Sequence, residues 1–280
     1  MKFLFLPLLH SVYDIPWGLT ELGHSVSILE DIVFDPSYEN PIHNELLSQE
    51  LSSAPPDYVI SPCFIPAAAD ICSRFHIPYI SWVYDSPQMS LFTESVHYPT
   101  NYIFIFDREQ YLRLKNLDVP HVYHIPLAAN ISRIGMLDIT DEDEAIYSHS
   151  ISFVGNLYED NKYNELIQTF PTNIQDEFKL YLMQNLCNWK TTRPWPKPSA
   201  KAFCFMKEVL KAEPHLLSPL LDEDIYLGIL ILSRKLAEME RITVLNTLAN
   251  SFPVDLYTRS NSAFLEKITL HRGVDYYTVM

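Results

Sequence analysis

Asp85 stands directly behind the apolar run Trp82-Val83-Tyr84, and Pro87 fixes the turn that follows Ser86. A carboxylate at the tip of a buried strand has the position of a general base, able to take a proton from a hydroxyl. Alternatively it caps the turn or helix behind it with the same oxygens. Asp107 ends the run Phe104-Ile105-Phe106 immediately before a helical pattern, so it reads first as a helix cap. His10 closes the first apolar run. An imidazole titrates near neutrality and suits a base or a donor to a hydroxyl, beside the plainer role of a satisfied structural histidine. Gly155-Asn156 follows the run Ile151-Ser152-Phe153-Val154 without a G-x-G-x-x-G around it. The glycine either lets the backbone approach a phosphate or makes a tight strand-to-helix turn. Arg193 and Lys197, in a loop with three prolines, are the nearest approach to a cationic clamp.

The elements that must carry these groups follow from the apolar pattern. Phe3–Leu6, Val26–Leu29, Tyr58–Ile60, Tyr79–Tyr84, Tyr102–Phe106 and Val122–Ile125 are short apolar runs of the kind a strand buried on both faces requires. Helical patterns lie between them at Tyr13–Leu22, Pro41–Leu51, Ala67–Phe75 and Arg108–Leu117, with Gly23 placed to end the first in a left-handed cap. This alternation predicts a doubly wound parallel sheet, whose ligands bind beyond the carboxyl ends of the strands. His10, Tyr13, Asp14, Trp17, Asp85, Ser86, Asp107 and Asn130 gather at those ends. Leu137–Glu144 holds five acidic residues in eight and reads as a solvated linker. Ile151–Val154 then opens a second α/β unit, and Tyr163–Asn250 is mostly helical up to the strand Val254–Thr258. The expected division is an N-terminal lobe over 1–136, an acidic linker over 137–150 and a helix-rich, partial second Rossmann-like lobe over 151–280.

Composition narrows the function. The 280 residues carry 20 basic and 35 acidic side chains, a net charge of −15, which repels a polyanion and argues against nucleic acid as a partner. Only 6 glycines occur, which disfavours long phosphate-binding glycine loops, while 48% hydrophobic residues supply ample core. Cys63, Cys72, Cys187 and Cys204 form no C-x-x-C pair, and no histidine spacing completes a zinc site. Four reduced thiols in a cytoplasmic protein is the expectation. The apolar start is too short for a signal peptide, and no run reaches the roughly 18 apolar residues of a membrane helix.

Five segments in order resemble one family: Trp82-Val83-Tyr84-Asp85-Ser86-Pro87, Phe104-Ile105-Phe106-Asp107-Arg108, Tyr123-His124-Ile125-Pro126-Leu127-Ala128-Ala129, Phe153-Val154-Gly155-Asn156-Leu157-Tyr158, and Val254-Asp255-Leu256-Tyr257-Thr258 followed by Gly273-Val274-Asp275-Tyr276-Tyr277. They look like the CgeB-like group of two-lobed GT-B glycosyltransferases. The resemblance implies a sugar moved from a nucleotide-sugar donor to an acceptor glycan, protein or small molecule, in a cleft between an acceptor lobe and a nucleotide lobe. For such a transfer Asp85 and His10, by their places at strand ends, are the candidate catalytic groups. Tyr13, Trp17, Tyr84, Ser86 and Asp107 would serve the acceptor, and Gly155, Asn156 and Tyr257 the donor. No cofactor and no metal are implied, and Asp222-Glu223-Asp224 reads as a helix cap and not as a metal motif. In the family the second lobe continues beyond the last of these segments, so a partial donor lobe is expected here. The competing expectation is a non-catalytic carbohydrate-binding or assembly protein of the same fold.

Overall fold

The structure, a computed structural model, describes residues 1–8, 14–29, 40–186, 200–210, 231–260 and 263–273. His10, Tyr13, Arg193, Lys197 and Asp222–Asp224 lie outside the described residues.

The chain divides into two units, one within Met1–Arg133 and one from Ile134 onward. In the first, β1 (Lys2–Phe5), β2 (Ser25–Ile28), β3 (Tyr58–Pro62), β4 (Tyr79–Val83), β5 (Asn101–Ile105) and β6 (Val122–His124) form one parallel sheet ordered β2-β1-β3-β4-β5-β6. The six apolar runs are these six strands. α1 (Asp14–Glu21), α2 (Pro41–Ser53), α3 (Pro66–Phe75) and α4 (Arg108–Asn116) fill the connections. Phe3, Phe5 and Ile60 pack with Ile15 and Leu19 of α1 on one face of the sheet. Leu4 and Leu6, alternating with them, are also buried, so both faces are covered and the strands read as continuous apolar runs. Gly23 takes φ 80° behind α1, as its position requires. The strand order turns back on itself between β1 and β3. In parallel sheets such a reversal is where ligands bind, at the carboxyl ends of the two strands.

The second unit holds β7 (Ile151–Val154), β8 (Val254–Thr258) and β9 (Thr269–Arg272) in a parallel sheet ordered β7-β8-β9. The helices described are α5 (Ile131–Ile134), at the boundary of the units, then α6 (Asp141–Tyr147), α7 (Lys162–Leu166), α8 (Thr172–Leu186), α9 (Ala200–Leu210) and α10 (Ser233–Ala249). Leu157, Leu245, Val254 and Leu256 make the core between the sheet and α10. The acidic stretch expected as linker is largely α6. Thr140 and Asp143 cap each other reciprocally, and the acidic residues of the first turn face the positive end of the helix dipole. Its side chains are exposed at almost every position, which is why composition alone suggested a solvated turn. No described helix is long and apolar enough to cross a membrane.

Candidate functional site

At the carboxyl edge of the first sheet, three loops are tied together by buried amide side chains. The loop behind β3 begins at Cys63, in the left-handed region at φ 63°. Ser61 donates to the Cys63 carbonyl at 2.8 Å, so the Tyr79 hydroxyl donates to Ser61 at 2.6 Å while accepting from the Ile65 amide at 3.0 Å. Gln88, behind β4, accepts from the Phe64 amide at 3.1 Å and donates to the Phe64 carbonyl at 2.8 Å and to Ser90 at 2.6 Å. Gln110 of α4 accepts from the Gln88 amide at 2.7 Å and donates to the Asp85 carbonyl at 3.2 Å. The backbone that carries Asp85 is therefore pinned on both sides by groups that have no water to turn to.

Asp85 itself is exposed, as are Tyr84 and Ser86 beside it. Its carboxylate accepts from the Cys63 thiol at 3.4 Å, and no described backbone N–H caps it. The turn-capping alternative for Asp85 is thus not what its side chain does. Burial first, and then the Asp85 charge, push the Cys63 thiol up to about 12, so it stays protonated and serves as a donor and not as a nucleophile. Burial and the same two neighbours also raise the Tyr84 hydroxyl. Asp107 is the N-cap of α4, accepting from the Gln110 amide at 2.7 Å, and it reaches Asp85 only through Gln110. Trp17 lies half-buried on α1. At the start of that helix Asp14 accepts from Arg133 Nε at 2.7 Å and Nη2 at 3.2 Å, and from Asn130 at 2.9 Å.

The second sheet carries a different chemistry at its carboxyl edge. Gly155 has φ 156° and donates its amide to the Tyr257 carbonyl at 3.0 Å. Asn156 accepts through its side chain from the Tyr158 amide at 2.5 Å and from the Ser260 hydroxyl at 3.2 Å. Ser260 in turn accepts from the Leu157 amide at 3.0 Å. Arg241 of α10 donates to the Asn156 carbonyl and lies 4.2 Å over the Tyr158 ring, with Arg234 over the same ring at 5.3 Å. Arg259 follows β8 and Arg272 closes β9. Among the described residues none of these four arginines has a carboxylate partner. Buried Glu238 holds α10 against this turn, accepting from Asn161 at 2.6 Å, Asn164 at 2.9 Å and Lys235 at 2.7 Å. Gly273 is packed so closely that an added Cβ would sit 2.9 Å from the Thr258 carbonyl carbon and 3.0 Å from the Arg259 nitrogen.

The Tyr257 side chain turns away from Gly155 and Asn156. Its hydroxyl meets His149 Nε2 at 2.6 Å, and its ring stacks on His271 at 4.4 Å. His149 Nδ1 lies 3.1 Å from one Asp255 oxygen and His271 Nε2 lies 2.7 Å from the other. The two imidazoles and the carboxylate offer three donor atoms within 4.8 Å of one another, a set able to hold a metal ion. Sequence spacing gives no sign of it, since His149 and Tyr257 are 108 positions apart. The clue is only that His149 lies two residues before one strand while Asp255 and His271 lie on the next two.

Of the residues expected to act together, the structure groups Tyr84, Asp85 and Ser86 on one edge and Gly155 and Asn156 on another. Cys63, Arg234, Arg241, Ser260 and the histidine pair were not foreseen. No family model, no curated protein and no solved structure matches this chain.

Proposed function

We propose that the protein is a GT-B-type glycosyltransferase that moves a sugar from a nucleotide-sugar donor to an acceptor hydroxyl. The observation that carries this reading is the pair of arginines from α10 at the turn behind β7. In a chain of net charge −15, Arg241 and Arg234 stand at the Gly155–Tyr158 turn, and among the described residues neither has a carboxylate partner. Fixed guanidinium groups beside exposed backbone suit a diphosphate, because planar N–H donors bind phosphate oxygens in pairs. The acceptor oxygen would attack the anomeric carbon as the bond to the diphosphate breaks. Asp85 is the candidate of the first unit for taking the acceptor proton, and Arg234 and Arg241 are the candidates of the second for offsetting the charge on a nucleoside diphosphate. Tyr84 and Ser86, exposed beside Asp85, would contact the acceptor.

The test is calorimetric binding of uridine, guanosine and adenosine diphosphates, followed by turnover of the matching nucleotide sugars. One diphosphate is expected to bind, and Arg241→Ala to weaken it about 10- to 100-fold, the loss of one charge-assisted contact. Asp85→Asn is expected to abolish transfer and leave that affinity unchanged. Absence of any nucleotide binding by the wild-type chain, or full turnover by Asp85→Asn, would overturn the assignment. Binding of a glycan without nucleotide turnover would favour the non-catalytic alternative.

A further inference from the structure

We propose that His149, Asp255 and His271 form a binding site for one divalent transition-metal ion of the zinc class, a clip that joins the lead-in to β7 with β8 and β9. The inference is independent of glycosyl transfer. It concerns the face of the second sheet opposite α10.

Strand alternation decides that face. Val254 and Leu256 point into the core with α10, so Asp255 and Tyr257 point the other way. The parallel register sets Tyr257 beside His271 and Asp255 beside Thr269, which puts His271 diagonally across from the carboxylate. His149 arrives from just before β7, whose Ile151 pairs with Val254. Three segments far apart in sequence thus deliver their polar side chains to one point. His149 and Asp255 are 14% exposed and His271 is 32% exposed, so the donors are shielded while one imidazole leaves a way in.

The donor types select the ion. Two imidazole nitrogens and one carboxylate oxygen suit zinc and its neighbours, whereas magnesium and calcium prefer oxygen alone. Three protein donors leave a fourth tetrahedral position for water. The orientation also fits a ligating histidine, which uses one ring nitrogen for the metal and ties down the other. His149 does this: Nδ1 faces the shared point while Nε2 is held by the Tyr257 hydroxyl at 2.6 Å. Asp255 is the hub of the cluster, accepting a hydrogen bond from one ring nitrogen of each histidine. Those separations are 3.1 and 2.7 Å. Tetrahedral donors about 2.0–2.1 Å from zinc stand roughly 3.3 Å apart, so these two contacts would open slightly and the three donors, all within 4.8 Å of one another, would close around the ion. To hold it, His149 Nδ1 and His271 Nε2 would each present a lone pair, with the ring proton standing on the other nitrogen.

The untagged chain, stripped with a chelator, is titrated with cobalt(II) at neutral pH and then with zinc(II). We expect one cobalt per chain, with visible bands of a four-coordinate ion that zinc displaces. His271→Gln and Asp255→Asn should each weaken binding about 100-fold or more, and Tyr257→Phe about 10-fold through the loosened His149 ring. Zinc should raise the melting temperature of the wild type and of Arg241→Ala, and leave His271→Gln unmoved. Lack of saturable one-to-one binding, or binding that survives both His271→Gln and Asp255→Asn, would overturn the proposal. If Asp255→Asn does not fold, His271→Gln decides alone, since it alters a part-exposed position on an edge strand.

Discussion

Replacing Gln88 by Met tests whether the loop that bears Asp85 is held by buried hydrogen bonds or merely by packing. Methionine has nearly the length and volume of glutamine, so no cavity opens and the effect is that of lost polar contacts. Gln88 is 6% exposed and makes three side-chain hydrogen bonds, two to the Phe64 backbone and one to Ser90. The Phe64 carbonyl keeps Ser90 as a donor at 2.7 Å, whereas the Phe64 amide, in a fully buried residue, loses its only acceptor. An orphaned buried N–H costs about 1–3 kcal/mol, and the lost Ser90 contact adds about 1 kcal/mol, for a total of roughly 2–4 kcal/mol. Ser90→Ala should cost only about 1 kcal/mol, because Gln88 still serves the Phe64 carbonyl. Native-state hydrogen exchange of the Phe64 amide reads this locally, so the behaviour of the second unit does not confuse it. A loss of 2–4 kcal/mol corresponds to a fall in protection of about 30- to 1000-fold. Wild-type protection of that amide in Gln88→Met, with an unchanged urea midpoint, would refute the reasoning.

Gly273→Ala should destabilise the second unit by about 1–3 kcal/mol, since the new methyl would press on the backbone at Thr258 and Arg259; a urea midpoint equal to wild type would show that this contact yields freely. Stability should also fall as pH rises from about 9 to 12. Cys63 and Cys72 are pushed up to about 12 chiefly by burial, as are Tyr163 and Tyr181. The unfolded chain therefore binds fewer protons than the native one in that window, which makes the slope negative. Urea midpoints that hold constant across the window would contradict these shifts.

How much of this was legible in the sequence differs from element to element. The strands of the first sheet were marked by apolar runs, most completely in β1, because a parallel strand covered on both faces favours apolar side chains at successive positions. The placing of Asp85, Ser86 and Asp107 at strand ends followed from the same runs. β9 was not legible: Thr269-Leu270-His271-Arg272 is an exposed edge strand with no apolar run, and pairing with β8 alone makes it a strand. The helix over Asp141–Tyr147 was hidden by its charge, although Thr140 and Asp143 stood at capping spacing.

The sequence by itself determined the α/β alternation, the strand tips and the acidic balance, because local periodicity and composition are properties of neighbours along the chain. Only the tertiary structure decided that Cys63 donates to Asp85, that Tyr257 faces histidines and not Gly155, and that His149, Asp255 and His271 share one point. Those meetings depend on strand order and register, which bring together residues that no local pattern connects.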